Sequence, residues 1–182
     1  TADRVAERAI RKAISERYPE HAVLGEEFAS TGGAGAYRWV IDPIDGTRAF
    51  ITGAPVWGTL IGLQHEGRPV LGLMSQPFTG ERFWAGGASA HWRQGAGKPR
   101  RLATRACGKL EQAVLTSTHP DLFADGAERE GFARLKSRVR MTRFGGDCYS
   151  YCLLAAGFID LVVEAGLKPY DIIALVPIIE AA

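Results

Sequence analysis

Three strand-like runs follow one another with almost nothing between them: VWGTLIGLQ from Val56, RPVLGLMSQP from Arg68 and ERFWAGG from Glu81, joined by the turns HEG and FTG. Parallel pairing needs a crossover of a dozen or more residues, so links this short make the runs an antiparallel meander. The rest of the chain must be built around that sheet. Before it, Asp3 to Tyr18 carries Val5, Ala6, Ala9, Ile10, Ala13 and Ile14 with charges between them, the periodicity of an amphipathic helix. TGGAGA, Thr31 to Ala36, reads as a loop and AYRWVID, Ala36 to Asp42, as a buried strand.

The second half changes character. AVLTSTH from Ala113 reads as a strand, Phe123 to Lys136 as a polar, weakly helical stretch, and RVRMTRF from Arg138 as a strand entering Gly145 and Gly146. DCYSYCLLAAG from Asp147 is a helix with Gly157 as its C-cap, IDLVVEAG from Ile159 is a strand, and Asp171 opens a final helix that Pro177 is placed to kink. A hairpin-rich half followed by alternating strands and helices predicts a mixed α/β protein. Its two layered subdomains, 1–110 and 111–182, form one structural unit, the first carrying the metal and phosphate site and the second the specificity residues.

Composition narrows the function. With 22 basic and 20 acidic side chains in 182 residues, the formal net charge is +2, so a nucleic-acid footprint is not expected. The basic run Arg93 to Arg101 reads as a solvated loop. No apolar stretch reaches the length of a membrane span, and TADRVAERAIRKAI lacks the apolar centre of a signal peptide. Three cysteines fit neither a disulfide framework nor a zinc site, which predicts a reducing, cytoplasmic setting. Cys148 and Cys152, four apart, read as core thiols. The first helix opens in mid-pattern and the last has no terminator, so both ends are expected to be incomplete.

The chemistry lies in carboxylates at three separated places: Glu26 and Glu27 in LGEEF, Asp42 and Asp45 in WVIDPIDGTRAF, and Asp171 in GLKPYDII. Pro43 is expected to stop the strand after Asp42 and turn the chain, bringing Asp42 and Asp45 together. Gathered like charges need a cation, and an oxygen-only donor set selects a hard one, Mg²⁺ first. Gly46 and Thr47 open a helix-like stretch whose free N–H groups suit a phosphate. Each piece has a plainer alternative: Asp171 as a helix N-cap, the Glu26–Glu27 pair as surface charge, Asp45 to Thr47 as an ordinary Asp-Gly turn. Together they match the needs of metal-assisted phosphate ester hydrolysis.

GEEF, DPIDGTRAF and GLKPYD, in this order and spacing, resemble the inositol monophosphatase family of Mg²⁺-dependent phosphatases. DPIDGTRAFITGAPVWGTLIGL with GGDCYSYCLLAAGFIDLVVEAGLKPYDIIALVPIIEAA is most similar to its histidinol-phosphate phosphatase branch. The resemblance implies an αβαβα layered fold lacking N- and C-terminal portions here, and a soluble homodimer acting on a small phosphate monoester with two or three Mg²⁺ ions. It implies roles by position. Glu26 ligates metal and positions the attacking water with Thr47; Asp42 bridges two metals, Ile44 ligates through its carbonyl, and Asp45 and Asp171 hold the second ion. Gly46 and Thr47 bind phosphate, while Arg48, Asp147, Glu164 and Asp171 face the substrate. The implied reaction is hydrolysis of L-histidinol phosphate by an activated water. An inositol or other polyol phosphatase, or a non-catalytic metal- or phosphate-binding relative, stands as the alternative.

Overall fold

The computed structural model describes residues 1–33 and 35–182; Ala34, within the expected TGGAGA loop, lies outside the described residues. The chain runs α1 (Ala2–Arg17), β1 (Ala22–Gly25), β2 (Tyr37–Asp45), α2 (Thr47–Thr52), β3 (Gly58–His65), β4 (Arg68–Gln76), β5 (Glu81–Gly86), β6 (Ala90–Gln94) and β7 (Arg100–Arg101). It continues through β8 (Val114–Ser117), α3 (Ala127–Lys136), β9 (Met141–Phe144), α4 (Asp147–Ala155), β10 (Leu161–Val162), α5 (Pro169–Ile172) and α6 (Leu175–Glu180).

The meander is longer than its three expected runs. β1 to β7 form one sheet in sequence order, β1 parallel to β2 and every later pair antiparallel. One face of this sheet receives α1, whose Ile10 and Ile14 pack on Val23, Trp39 and Ile41. The other face carries Leu60, Met74, Phe83 and Ala85 against Cys148, Cys152 and Ala155 of α4 and Leu175 and Ile178 of α6. Both α4 cysteines are free and buried, as core thiols. Truncating a fully buried aliphatic here, such as Leu175, removes packing worth about 2–5 kcal/mol.

β8 lies between β10 and β9 in a second sheet whose three strands are all parallel. α4 covers one side, and Phe132 of α3 covers the other with Phe123, Leu115 and Leu161. The layers therefore read α, β, α, β, α, as expected. All three strands of the second sheet point their C-terminal ends the same way, toward α2 and the end of β2, and open parallel sheets bind ligands at that edge.

Several local expectations are corrected. β2 does not stop at Pro43: it runs to Asp45, with a register shift between Asp42 and Asp45. A proline has no N–H to lose from a ladder that is already interrupted, so a bulge accommodates it. The run Arg93 to Arg101 is not one solvated loop, because Arg93 lies in β6 and Arg100 and Arg101 form β7. IDLVVEAG shrinks to the pair Leu161–Val162. The last helix is broken into α5 and α6 at Ile173 and Ala174. The break falls where the Pro177 ring would meet the carbonyl four residues earlier.

Candidate active site

The corner between β2 and α2 is held by its own short bonds. The Ile44 N–H donates to Asp42 Oδ1 at 3.0 Å, the Thr47 hydroxyl donates to the Ile44 carbonyl at 3.2 Å, and the Thr59 hydroxyl donates to the Pro43 carbonyl at 2.9 Å. Gly46 takes a φ of 79°, and a Cβ there would lie 2.9 Å from Asp147 Cγ, so glycine is required by both backbone and space. α2 starts at Thr47, leaving first-turn N–H groups without intrahelical partners beside the cavity that Gly46 and Thr47 line.

Into this corner the fold brings distant carboxylates. Asp42, Asp45 and Asp171 each place a carboxylate oxygen within 4.8 Å of the others. Asp45 Oδ2 accepts from the Cys148 N–H at 2.8 Å, at the start of α4, and Asp171 Oδ2 accepts from the Lys168 N–H at 2.6 Å, at the start of α5. Asp171 is thus the third residue of its helix; Lys168 occupies the cap position expected for it. Glu26, one residue beyond β1, lines the same cavity within hydrogen-bonding reach of Asp42 but outside the tight group of three.

The electrostatics of the group are those of crowded acids. Burial first, then Asp45 and Glu26, push Asp42 up to about 9, and burial pushes Asp45 up to about 7 against the relief given by Cys148. Burial likewise raises Glu26 and Asp171. Buried acids raised by one another and by desolvation favour a nearby positive charge. The donors are all oxygens, and the three carboxylates converge on one point, so the residues present fit a hard divalent cation.

The opposite wall is built differently. Thr118 just after β8, Asp147 and Tyr151 on α4, and Glu164 after β10 line the same cavity of about 190 Å³, with Leu122 and Leu167. Both Glu164 oxygens are engaged: Oε1 accepts from the Thr118 N–H at 2.9 Å and from its hydroxyl, and Oε2 accepts from the Tyr151 hydroxyl at 3.0 Å. Burial and Glu164 push Tyr151 well above the ordinary phenol range, keeping it a donor. Burial and Glu164 also raise Asp147, with Arg48 opposing them.

Nearly all the residues expected at the site line this one cavity: Glu26, Asp42, Ile44, Asp45, Gly46, Thr47, Asp147, Glu164 and Asp171. Arg48 does not. It is exposed on α2 outside the lining, near enough to Asp147 to influence it but not to form the wall. Glu27 also turns away, bonded to Arg4 at 3.1 Å. Sequence reasoning missed Thr118 and Tyr151. The first stands immediately past the end of a parallel strand, and the second lies one helical turn after Asp147 on the same helix face.

This geometry meets its counterpart among known proteins. The model of the inositol monophosphatase family matches residues 1–182. The chain belongs to that family. It is 48% identical over 183 residues to the bifunctional phosphatase IMPL2, chloroplastic, of Arabidopsis thaliana, covering 100% of this chain and 51% of that protein. It is 36% identical over 175 residues to a histidinol-phosphatase of Mycobacterium tuberculosis, covering 96% of this chain and 67% of the other. The structure of an inositol monophosphatase from Zymomonas mobilis superposes with a TM-score of 0.88 at 43% identity, covering 98% of this chain and 67% of that one. The chain thus spans between half and about two thirds of the length of these inositol monophosphatase relatives.

Proposed function

We propose that this chain carries the active site of a Mg²⁺-dependent phosphomonoesterase that hydrolyses L-histidinol phosphate to L-histidinol and phosphate. The observation that carries the reading is one cavity with the carboxylate cluster and the start of α2 on one side and Asp147 and Glu164 on the other. Asp42, Asp45, Asp171, Glu26 and the Ile44 carbonyl would hold two or three ions. When bound, the ions supply positive charge against the phosphoryl oxygens and lower the pKa of a water.

The chain's own groups do the rest. The N–H groups of Gly46 and Thr47 bind phosphoryl oxygens at the positive end of α2. Glu26 and the Thr47 hydroxyl orient the attacking water, which adds to phosphorus as the bond to the leaving oxygen breaks, so no side chain is phosphorylated. Asp147 and Glu164 receive the protonated amine of the leaving group in charge-assisted hydrogen bonds. Thr118 and Tyr151, by donating to both Glu164 oxygens, fix the orientation of that group. Arg48 is left to the rim of the site.

The relative named histidinol-phosphatase supports the choice of substrate. The structural neighbour named inositol monophosphatase supports a second reading, in which the leaving group is a neutral polyol. A reducing, cytoplasmic setting and a homodimer complete the proposal. Among the described residues no helix is long and apolar enough to cross a membrane, and the part of the α1-bearing face of the large sheet that lies beyond α1, with Leu71, Leu73 and Trp84, offers a self-association surface.

Phosphate release from L-histidinol phosphate and from inositol monophosphate, each with Mg²⁺ and with EDTA, decides between these readings. Mg²⁺-dependent preference for the first substrate is the expected result; preference for the second keeps the mechanism and removes the amine-binding role of Asp147 and Glu164. Metal binding without release from either substrate points to a non-catalytic relative.

A further inference from the structure

Glu7 is the one acidic residue of α1 that solvent does not reach: its exposure is 0%. A carboxylate is costly to bury unless it is paired and hydrogen-bonded, and Glu7 is both. Its Oε1 accepts from Arg11 Nε at 2.7 Å, one helical turn on, and its Oε2 accepts from the Glu27 N–H at 2.8 Å. Arg11 then reaches past it to the Phe28 carbonyl at 3.1 Å and the Thr31 hydroxyl at 2.9 Å. The carboxylate also lies flat against Gly25, where a Cβ would fall 2.1 Å from Oε1. Glu7 therefore touches the residue before Glu26 and binds the residue after it.

We propose that Glu7 is a positioning residue for the metal site: with Arg11 it clamps the turn from Gly25 to Phe28 so that the Glu26 carboxylate is presented to Asp42 and Asp171. The inference rests on the metal-dependent reading given above. Outside the clamp the turn is held by surface contacts at its far side, Glu27 on the exposed Arg4 at 3.1 Å and the guanidinium groups of Arg4 and Arg8 over the Phe28 ring, none of which reaches the backbone of Gly25 or Glu26. β1 pairs with β2 only as far as Gly25 opposite Ile41, and one further bond, from the Glu26 N–H to the Ile41 carbonyl, is long at 3.3 Å. Without the clamp, the first residue beyond the strand is free to swing, and a carboxylate whose neighbours repel it has every reason to do so. A helix that packs on the opposite face of the sheet from α4 and α6 thereby sets the affinity of a site it does not touch.

Two substitutions test the clamp without sharing one failure. Glu7→Gln keeps the shape of the side chain but removes the anion that both N–H groups address, and Gly25→Ala leaves Glu7 in place while forcing its carboxylate aside. Binding of Mn²⁺ alone to the metal-free protein is measured by calorimetry beside the melting temperature. The expected result is binding about 10-fold or more weaker in both variants, in the range found when groups supporting metal ligands are removed. Glu7→Ala combined with Gly25→Ala should lose little beyond Glu7→Ala alone, since the clash is gone. Unchanged Mn²⁺ affinity in a folded Glu7→Gln protein, whether or not its melting temperature falls, overturns the inference and leaves Glu7 a structural residue. If the unaltered chain binds no Mn²⁺, it is the metal-dependent reading itself that fails.

Discussion

Across the cavity, the wall of Asp42, Asp45 and Asp171 faces the wall of Thr118, Asp147, Tyr151 and Glu164. On the first, the carboxylates crowd one another and two of them are pushed up to about 7 and about 9. On the second, Glu164 is met by a donor at each oxygen, supplied by Thr118 and Tyr151. One wall is a crowd of like charges that a cation would relieve; the other is already hydrogen-bonded and, on the proposed reading, selects by sign. The contrast makes reaction and substrate choice separable, so a change on one side should touch every substrate and a change on the other only some.

The largest effect is expected from Asp45→Asn, which removes a charged donor from the crowded wall. Turnover of histidinol phosphate and inositol phosphate should fall together by about 10³-fold or more, read from kcat on both. Near-normal turnover breaks the comparison outright. The same wall predicts a pH dependence for the metal-free protein. Asp42 and Asp45 hold protons in the folded state to about 9 and about 7, far above the ordinary 3.8. Their contribution to stability is fully present below about pH 4 and is lost as pH rises through those values. In EDTA the melting temperature should therefore fall between about pH 4 and about pH 9, and Mg²⁺ should restore more of it at the higher pH. Asp45→Asn should flatten that fall.

Glu164→Gln sharpens the other side. It should lower kcat/KM for histidinol phosphate by about 10- to 100-fold, the worth of a charge-assisted bond, with a much smaller change for inositol phosphate. Equal losses on both substrates would merge the two walls into one. Tyr151→Phe removes one donor from Glu164, and its expected effect is smaller, about 3- to 10-fold in KM for the cationic substrate at unchanged kcat. The smallest effect on catalysis belongs to Arg105→Met, away from both walls. Arg105 Nε bonds Asp160 at 2.7 Å and, with the Val114 N–H, holds that carboxyl down at about 2. That stability is present above about pH 4 and lost as pH falls toward 2; with Arg105 half-exposed it is screened by solvent, and its loss is seen as a small fall in melting temperature at unchanged turnover.

The same contrast decides what could be read from sequence. Asp42 to Thr47 are neighbours in the chain, so their convergence is a local matter of one proline, one glycine and a helix start, and it was legible although Pro43 produced a bulge rather than a stop. Glu26 and Asp171 were legible through their motifs. Thr118 and Tyr151 were not, since a threonine after a strand and a tyrosine in an apolar helix acquire meaning only when β10 sets Glu164 beside them. Arg48 lies outside the cavity lining but close enough to act on Asp147, because adjacency to the phosphate loop does not fix which way a helix turns its second residue. Glu7 was readable and was passed over, because it shares the helical stripe of Ile10 and Ile14 at spacings of three and seven, where a charge is out of place. Strand lengths failed at Ile159 to Gly166, where the apolar run is packed by α3 and α4 rather than by further pairing.

The lateral order of the small sheet bears on the substrate. Glu164, Thr118 and Asp147 follow β10, β8 and β9 in turn, strands that lie side by side in that order. Neighbouring strands are spaced by about 4.8 Å, so β10 and β9 lie about 10 Å apart with β8 midway, and the two acids enter the cavity from the two outer strands. On the proposed reading, the placement of the two acids is therefore set by the backbone of this sheet, which side-chain substitution leaves alone, while the acids themselves choose the charge of the leaving group.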